Sequence, residues 1–305
     1  SKPMPERSDA KEKKFLTRPL WLANIGKWDA QGIGDSTFAG LKEREVFEIY
    51  APIAERIISD FDERNFFQAA DHSPLIIGVT GSVAVGKSTI SNLLKELFVN
   101  STAKLQTQVI STDNFLFTNE RLQQNHILHR KGFPESFDTN AIIEFLTELK
   151  QGKSSFSLPV YSHETYDIEE SFSQFDAPKV LILEGVNILQ ESADKSNNTK
   201  LAISEFLDFS IFIDADENDI AQWYKDRFLD YCYRAESDGS SFFLQFKDLT
   251  HQERKELAEH IWNSVNRPNL LEHISPSREF ADLILNKSFD HSILSLEIPP
   301  FWTSP

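Results

Sequence analysis

Two patterns of apolar residues alternate along the chain. Apolar runs with little polar interruption predict strands that are buried on both sides, and they lie at 75–80, 109–111, 179–185 and 208–214. Segments with apolar residues three or four positions apart, or with capping residues at their start, predict helices at 87–99, 138–150, 216–234 and 250–265. Strands that alternate with helices predict an α/β fold of the P-loop NTPase type, with a mostly parallel sheet and helices on both faces.

The remaining segments give weaker signals. Helical spacing over 41–67 predicts a helix that Pro52 starts or kinks. We expect a short strand at 156–161, a final strand at 281–286 and a polar loop over 114–137.

Residues 1–40 read as irregular, with stretches such as Gly32-Ile33-Gly34-Asp35. No internal repeat divides the chain. We therefore expect residues 1–305 to form a single domain in which 1–40 is a variable N-terminal extension.

Composition narrows the class of protein. A 40% hydrophobic fraction in 305 residues suits a globular core, and no run of 18 apolar residues is present, so we expect no membrane span. The charged first residues lack the apolar core of a secretory signal. Cys232 is the single cysteine, which excludes an intrachain disulfide. A net charge of −16 argues against a nucleic-acid partner. We therefore predict a cytoplasmic protein.

The strand at 75–80 is followed by Gly81-x-x-x-x-Gly86-Lys87-Ser88 and then by a helix, the context of a phosphate-binding P-loop. A chance match in a glycine-rich linker is the alternative, but the whole chain has only 11 glycines. Loop amides and the helix N-terminus would bind the phosphates, Lys87 would reach the outer ones and Ser88 would hold Mg²⁺. The predicted nucleotide-binding residues of this loop are Gly81, Ser82, Val83, Ala84, Val85, Gly86, Lys87, Ser88 and Thr89.

Three further residues carry candidate chemistry. Asp113 and Glu184 each follow a predicted strand, at the sheet edge where ligands of parallel sheets bind. Asp113 could accept the proton of a hydroxyl or could merely form an Asx-turn, and Glu184 could assist Mg²⁺ or be a solvated strand end. Arg227 could stabilise a transferring phosphate, or it could pair with Asp226 or Asp230.

The order of motifs resembles that of bacterial type I pantothenate kinases across roughly residues 45–291. KGFPES and the YSHETYD segment are more specific than the P-loop, and they separate this family from uridine kinases and phosphoribulokinases. The matching segments are GSVAVGKST (81–89), STDNF (111–115), KGFPESFD (131–138), PVYSHETYD (159–167), ILEGVNIL (182–189), DFSIFIDA (208–215), WYKDRF (223–228) and ILNKSFDH (284–291).

The resemblance implies phosphorylation of pantothenate by ATP with Mg²⁺, the first step of coenzyme A biosynthesis. It implies that Asp113 is the base and that Lys87 and Arg227 stabilise the phosphates. Ser88 and Glu184 would serve Mg²⁺, and the adenine would lie near Lys287 and His291. The residues implied around pantothenate are Asp113, Tyr161, His163, Tyr166, Tyr224, Arg227 and Asn266.

The resemblance also implies feedback inhibition by coenzyme A, through Lys131, His163 and Phe228, and assembly as a homodimer. Phe228 and the Phe242–Phe246 segment would form an apolar wall. From composition alone, that segment could equally be core.

Two positions depart from the family's pattern. The family often has TTDGF where this chain has Asn114, and asparagine tolerates the left-handed backbone that such a turn can use. Members inhibited by coenzyme A can carry an arginine where this chain has Asn92, so we expect weakened inhibition.

Two alternatives to a pantothenate kinase stay open. The enzyme alternative is a uridine kinase-like or phosphoribulokinase-like kinase, and the non-enzyme alternative is a nucleotide-dependent regulator with no acceptor pocket. The Asn286-Lys287-Ser288-Phe289-Asp290 segment mimics part of a guanine-reading motif, and we interpret it as chance or as an adenine-side contact.

Overall fold

A computed structural model describes residues 10–28, 43–64, 66–68, 73–191 and 201–303. Those residues contain two sheets. The strands are β1 Lys14–Thr17, β2 Leu75–Gly81, β3 Thr107–Ser111, β4 Ser155–Ser162, β5 Asp167–Asp176, β6 Val180–Glu184, β7 Phe209–Ala215, β8 Leu283–Lys287 and β9 Ile293–Ile298. The central sheet has the order β1-β9-β8-β7-β2-β6-β3, and β4 and β5 form a separate antiparallel pair.

The five strands in the middle and at one edge of the central sheet are parallel: β8, β7, β2, β6 and β3. β9 is antiparallel to β8, and β1 is antiparallel to β9. Every residue of β2 and β6 is buried, as expected for strands covered on both faces. The predicted fold class is confirmed.

Helices precede and connect the parallel strands. They are α1 Arg18–Ile25, α2 Glu43–Glu45, α3 Ala51–Glu63, α4 Lys87–Asn100, α5 Asn119–Gln124, α6 Thr139–Lys150, α7 Glu217–Ala235, α8 His251–Ile261 and α9 Arg267–Asn269. Asp138 caps α6 as predicted, because its side chain accepts from the Ala141 N–H at 3.1 Å. The side chains of Asp216 and Thr250 cap α7 and α8 in the same way.

Prolines determine where the longer helices change geometry. π-helical segments span Val46–Tyr50, Trp262–Asn266 and Leu270–Ile274, and a proline lies two residues after each of them: Pro52, Pro268 and Pro276. A proline has no N–H to donate and its ring clashes with the carbonyl four residues earlier, so a wider turn accommodates it. Pro52 therefore does not end the predicted helix.

Several sequence predictions are wrong in detail. The strand near 281–286 is not the last, because β9 follows it and pairs with both β8 and β1. The predicted loop over 114–137 contains α5 and short 3-10 turns. β5 was not predicted, since its largely exposed, polar residues have no buried face and pair only with β4.

The prediction of irregular structure over residues 1–40 is wrong for 14–25, which form β1 and α1. Trp21 of α1 is fully buried, and its indole N–H donates to the Glu48 carbonyl at 2.8 Å. Arg18 forms ion pairs with Glu45 and Glu48. Thus this segment belongs to the main core, whereas residues 1–9 and 29–40 lie outside the described residues.

We predict that Trp21→Ala lowers the free energy of unfolding by about 3–5 kcal/mol, because it removes a buried aromatic side chain and its hydrogen bond. Urea unfolding followed by circular dichroism measures the change. Leu20→Ala, on the exposed side of the same helix, is the control and should cost less than about 1 kcal/mol. Equal effects of the two substitutions would contradict integration of this segment into the core.

Candidate active site

The loop between β2 and α4 requires its glycines. Gly81 and Gly86 have φ angles of +146° and +98°. A Cβ on Gly81 would lie 2.5 Å from the Ile213 carbonyl oxygen, and one on Gly86 would lie 2.7 Å from Lys287 Nζ. Ala84 has a φ of +61°, in the left-handed region that side chains disfavour. The loop is therefore held in a defined shape by backbone geometry.

Two side chains at the start of α4 contact the rest of the site. Lys87 Nζ donates to the Ser82 carbonyl at 2.7 Å, across the loop, and Ser88 Oγ donates to Glu184 Oε1 at 3.0 Å. The N-terminal amides of α4 and the loop amides share this end of the sheet. The predicted Gly81–Thr89 segment thus forms a continuous loop and helix start, with Ser88 and Thr89 exposed.

Strand register brings the two candidate carboxylates to one edge. In the sheet, Glu184 lies opposite Val79 of β2 on one side and Ser111 of β3 on the other. Asp113 follows Ser111 within the 3-10 turn Thr112–Phe115. The sequence-based expectation that residues after different strands meet at the carboxyl edge is therefore correct for this pair and for Gly81.

Burial and neighbouring charges act in opposite directions on these groups. Burial raises the pKa of Asp113, while Lys87 and Arg227 oppose the rise. Burial also raises the pKa of Glu184, against the attraction of Lys87 and the Ser88 hydrogen bond. For Lys87, burial lowers the pKa and the charge of Glu184 opposes that. The site therefore groups two acids and a base whose charges influence one another, while their direct partners are the Ser82 carbonyl for Lys87 and the Ser88 hydroxyl for Glu184.

The turn after β3 is fixed by a buried contact that the sequence did not reveal. Thr112 Oγ1 donates to Asn187 Oδ1 at 2.7 Å, and both side chains are buried. A Cβ on Gly185 would lie 1.9 Å from Thr112 Oγ1, so only glycine fits beside this hydroxyl. Since Thr112 precedes Asp113, the contact sets where that carboxylate lies.

The hairpin of β4 and β5 covers the site from one side. Tyr161 and His163 pack edge to face with centroids 5.1 Å apart, and His163 Nε2 lies 3.7 Å from Asp113 Oδ2. Burial, reinforced by the Arg227 charge, lowers the pKa of His163 to about 4, so this imidazole is neutral at neutral pH. Tyr166 has a left-handed φ of +55° and its ring packs on Phe242 at 4.7 Å.

Lys131 connects this hairpin to α5. Its ammonium donates to Asn119 Oδ1 at 2.7 Å and to the Tyr166 carbonyl at 2.6 Å, and it lies 3.6 Å from the Tyr166 ring centroid. Burial lowers the pKa of Lys131 to about 8. The side chain thus supports the left-handed backbone at Tyr166 while it adds positive charge near Asp113.

Helix α7 closes the opposite side. Arg227 Nη2 contacts the Tyr231 hydroxyl at 3.3 Å, while Asp226 accepts from Gln222 and Asp230 pairs with Arg234. Asp226 and Asp230 thus bond to other side chains. The surface salt bridge with Arg227, the alternative considered from the sequence, is therefore not formed with either of them. Tyr224 packs on Trp262 at 5.8 Å, and burial raises the pKa of its hydroxyl while the nearby Asn266 side chain opposes the rise.

The apolar wall forms a second, smaller cluster beside α7. Phe228 packs against Phe243 and Phe246, each with centroids 5.6 Å away. Phe242 joins this cluster to Tyr166 of the hairpin, and the Phe242 N–H donates to the Glu164 carbonyl at 2.8 Å. The Phe242–Phe246 segment thus belongs to a small apolar cluster and also contacts the hairpin beside the site. The interpretations of this segment as core and as an apolar wall are therefore compatible.

The loop after β8 packs on the P-loop. Lys287 Nζ donates to the Val85 carbonyl at 2.7 Å, and burial lowers its pKa to about 8. His291, with a φ of +69°, stacks on Trp223 at 4.1 Å. Asn286 faces elsewhere and bonds with Ser295 and Glu297. The partial resemblance to a guanine-reading motif therefore does not extend to this asparagine.

Known proteins with similar sequences are kinases, in agreement with the P-loop geometry of this site. Residues 76–227 match the Phosphoribulokinase / Uridine kinase family. The pantothenate kinase of Histophilus somni (strain 2336) is 42% identical over 264 residues, 83% of this chain and 82% of that one. The pantothenate kinase of Bacillus subtilis (strain 168) is 42% identical over 266 residues, 83% of each chain. This chain belongs to the pantothenate kinase family.

Solved structures support the fold. A Silicibacter sp. TM1040 protein, proposed to be a fructose transport system kinase, has a TM-score of 0.56 at 20% identity and covers 73% of this chain and 92% of its own. The YGR205w protein has a TM-score of 0.55 at 16% identity and covers 80% of this chain and 97% of its own. No helix within the described residues is long and apolar enough to cross a membrane.

Some residues of this pantothenate kinase site escaped sequence analysis. Thr112, Asn187 and Asn119 act through side-chain contacts to residues far away in the chain, which spacing cannot reveal. Trp223 lies in the WYKDRF segment, and only the structure shows that its ring stacks on His291. A glycine directly after a buried strand, as at Gly185, is a local signal that could have indicated this close contact.

We predict that Gly185→Ala destabilises the protein by about 1–3 kcal/mol and lowers turnover, because the added methyl group would displace Thr112 and hence Asp113. Thermal unfolding and steady-state kinetics measure the two effects. Gly239→Ala is the matched control, since a Cβ there meets no atom within 4 Å. A Gly185→Ala variant with wild-type turnover would show that this contact does not place the carboxylate.

Proposed function

We propose that this protein transfers the γ-phosphate of ATP to the hydroxyl of pantothenate, giving 4′-phosphopantothenate for coenzyme A biosynthesis. The observation that carries the proposal is one edge of the sheet where a P-loop lies beside Asp113 and an acceptor-side hairpin. The names of the bacterial relatives, which match over most of the chain, support pantothenate as the substrate.

The nucleotide would bind along the P-loop. Its phosphates would meet the loop amides and the first turn of α4, and Lys87 would exchange its contact with the Ser82 carbonyl for the outer phosphates. Lys287 and His291 would border the adenine, with the His291–Trp223 stack as a ready aromatic surface. The adenine assignment comes from the family resemblance, and the bond from Lys287 Nζ to the Val85 carbonyl of the P-loop supports it.

Mg²⁺ fits the oxygen donors beside Lys87. Ser88 Oγ and Glu184 Oε1 lie 3.0 Å apart, and Glu184 is a carboxylate held at a buried strand end. Hydroxyl and carboxylate oxygens are the ligands this ion prefers, alongside water and phosphate. When bound, Mg²⁺ would neutralise charge on the β- and γ-phosphates.

Asp113 would act on the acceptor hydroxyl. The hydroxyl oxygen forms a bond to the γ-phosphorus, the bond from that phosphorus to the bridging oxygen breaks, and the proton passes to Asp113. A raised pKa makes Asp113 a stronger base than an exposed aspartate, which suits this role. Arg227 would stabilise charge on the transferring group.

The pantothenate pocket would be lined by tyrosines and amides. Tyr161, His163 and Tyr166 lie on the hairpin side, and Tyr224, with Asn266 near its hydroxyl, lies on the α7 side. A polar monoanion of small size needs several donors and little apolar area. A uridine kinase-like or phosphoribulokinase-like activity remains the second candidate, supported by the family match.

We also propose that coenzyme A inhibits the enzyme through Lys131, His163 and the apolar wall at Phe228. Asn92 is exposed on α4. Because its side chain is uncharged, this position supplies no cation to an anionic inhibitor. The single-domain organisation, the homodimer and the cytoplasmic location stay predictions.

The substrate is tested by ADP release from ATP and Mg²⁺ with pantothenate, uridine or ribulose 5-phosphate offered side by side. We expect turnover with pantothenate alone, because the acceptor side presents tyrosine donors suited to a small polar monoanion, with the cations Lys131 and Arg227 near Asp113. Faster turnover with uridine or ribulose 5-phosphate would overturn the proposal.

We expect Asp113→Asn to lower kcat by about 10²–10⁴-fold with ATP binding nearly intact, since the amide cannot accept the proton. Single-turnover kinetics and calorimetry of ATP binding separate the two effects. Asp62→Asn, exposed at the end of α3, is the matched control and should retain wild-type turnover. If Asp113→Asn also retained full turnover, Asp113 would not be the base.

We predict that Asn92→Arg increases sensitivity to coenzyme A, because a guanidinium would add a charge-assisted hydrogen bond to an anionic inhibitor. Inhibition curves of wild type and variant at fixed ATP give the shift in half-inhibitory concentration, expected to be about tenfold for 1.4 kcal/mol. No gain in sensitivity would contradict a role for this position.

A further inference from the structure

Asn114 makes a contact that neither the motif nor the expected left-handed turn explains. It lies within the 3-10 turn Thr112–Phe115, and its φ is not positive. Its side-chain Oδ1 accepts a hydrogen bond from the Tyr161 backbone N–H at 2.8 Å, across 47 positions of sequence. The side chain therefore joins the turn that carries Asp113 to strand β4.

The Tyr161 N–H lies where the hairpin is least regular. β4 has only β5 as a neighbouring strand, and their register shifts between Pro159 and Tyr161. Pro159 lies opposite Phe172 and Tyr161 opposite Ile168, so β5 carries two more residues than β4 across this interval. Ladder irregularities of this kind bend a strand and re-aim its side chains. A bond from outside the sheet fixes the direction that β4 takes there.

The Thr112–Phe115 turn that carries Asn114 is itself held in place by other contacts. Thr112 Oγ1 donates to the buried Asn187, and the Asp113 N–H donates to Ser111 Oγ at 3.1 Å. Phe115 is buried in the core. With its neighbours on both sides held, Asn114 has little freedom to follow the hairpin, so the hairpin must follow Asn114.

These contacts close a ring around the catalytic carboxylate. Asn114 holds Tyr161, the Tyr161 ring packs on His163, and His163 Nε2 lies 3.7 Å from Asp113 Oδ2. Asp113 in turn is bonded through the backbone to Asn114. A change at Asn114 therefore alters the distance between the carboxylate and the hairpin while the P-loop contacts of Lys87 and Lys287 remain.

We propose that Asn114 is a positioning residue, which holds β4 at Tyr161 against the Asp113 turn and so sets the width of the acceptor side. The acceptor part of this inference rests on the proposed pantothenate kinase function. We call the hydrogen bond from the Tyr161 N–H to Asn114 Oδ1 the clamp. It is a property of the ligand-free protein and does not depend on that function.

Hydrogen exchange tests the clamp directly. Amide exchange is measured by NMR on the full chain without ligands, for wild type, Asn114→Ala, Asn114→Asp and Asn140→Ala. In Asn114→Ala, exchange at the Tyr161 amide should be about three- to tenfold faster, the range expected for loss of one hydrogen bond. Asn114→Asp keeps an acceptor oxygen of the same length and should preserve protection. Asn140→Ala, exposed on α6, is the matched control.

Kinetics tests the consequence. Asn114→Ala should raise KM for pantothenate about three- to tenfold and leave KM for ATP unchanged, because the clamp contacts only the acceptor side. A purely structural loss would change both constants or lower the folded fraction. Asn140→Ala should match wild type in both constants.

Two results would overturn the proposal: unchanged Tyr161 exchange in Asn114→Ala, or equal changes in KM for both substrates. Faster exchange in Asn114→Asp than in wild type would also count against it. If wild type failed to phosphorylate pantothenate, the proposed function would fall, and the exchange rates alone would still decide whether Asn114 holds β4.

Discussion

The register of β6 between β2 and β3 is the constraint on which the site depends. It places Glu184 opposite Val79 and Ser111, at the edge where the P-loop begins and the Asp113 turn follows. Parallel strands of similar length end together, so the loops after them converge without further guidance. A shift of one residue would turn the Glu184 side chain to the opposite face of the sheet and separate it from Ser88.

Polar side chains can approach the backbone closely at that edge because glycines there have no side chain. Gly185 leaves room for the Thr112 hydroxyl, and Gly86 leaves room for the Lys287 ammonium. In both places a polar group takes the space of a Cβ and donates to a partner beyond it. The glycines therefore matter for packing against polar groups as well as for backbone angles.

Buried charge is tolerated here because opposite charges are grouped. The charges of Glu184 and Asp113 act on Lys87, and burial moves the pKa of the cation downward and those of the acids upward. Each group keeps a partial partner, which limits the cost of removing it from water. An anionic nucleotide with a divalent cation would add charges of both signs beside Lys87, Asp113 and Glu184. The pKa values of these groups should therefore change when the ligand binds.

The sequence by itself determined the parallel α/β sheet, the P-loop, the strand ends that carry Asp113 and Glu184, and the cap at Asp138, because periodicity and local backbone chemistry encode them. It also carried enough motif order to indicate the family. Only the tertiary structure decided that Trp21 belongs to the core, that β9 pairs between β8 and β1, and that Thr112 contacts Asn187 and Asn114 contacts Tyr161. Those contacts join residues far apart in sequence, so they depend on how the layers pack rather than on any local pattern.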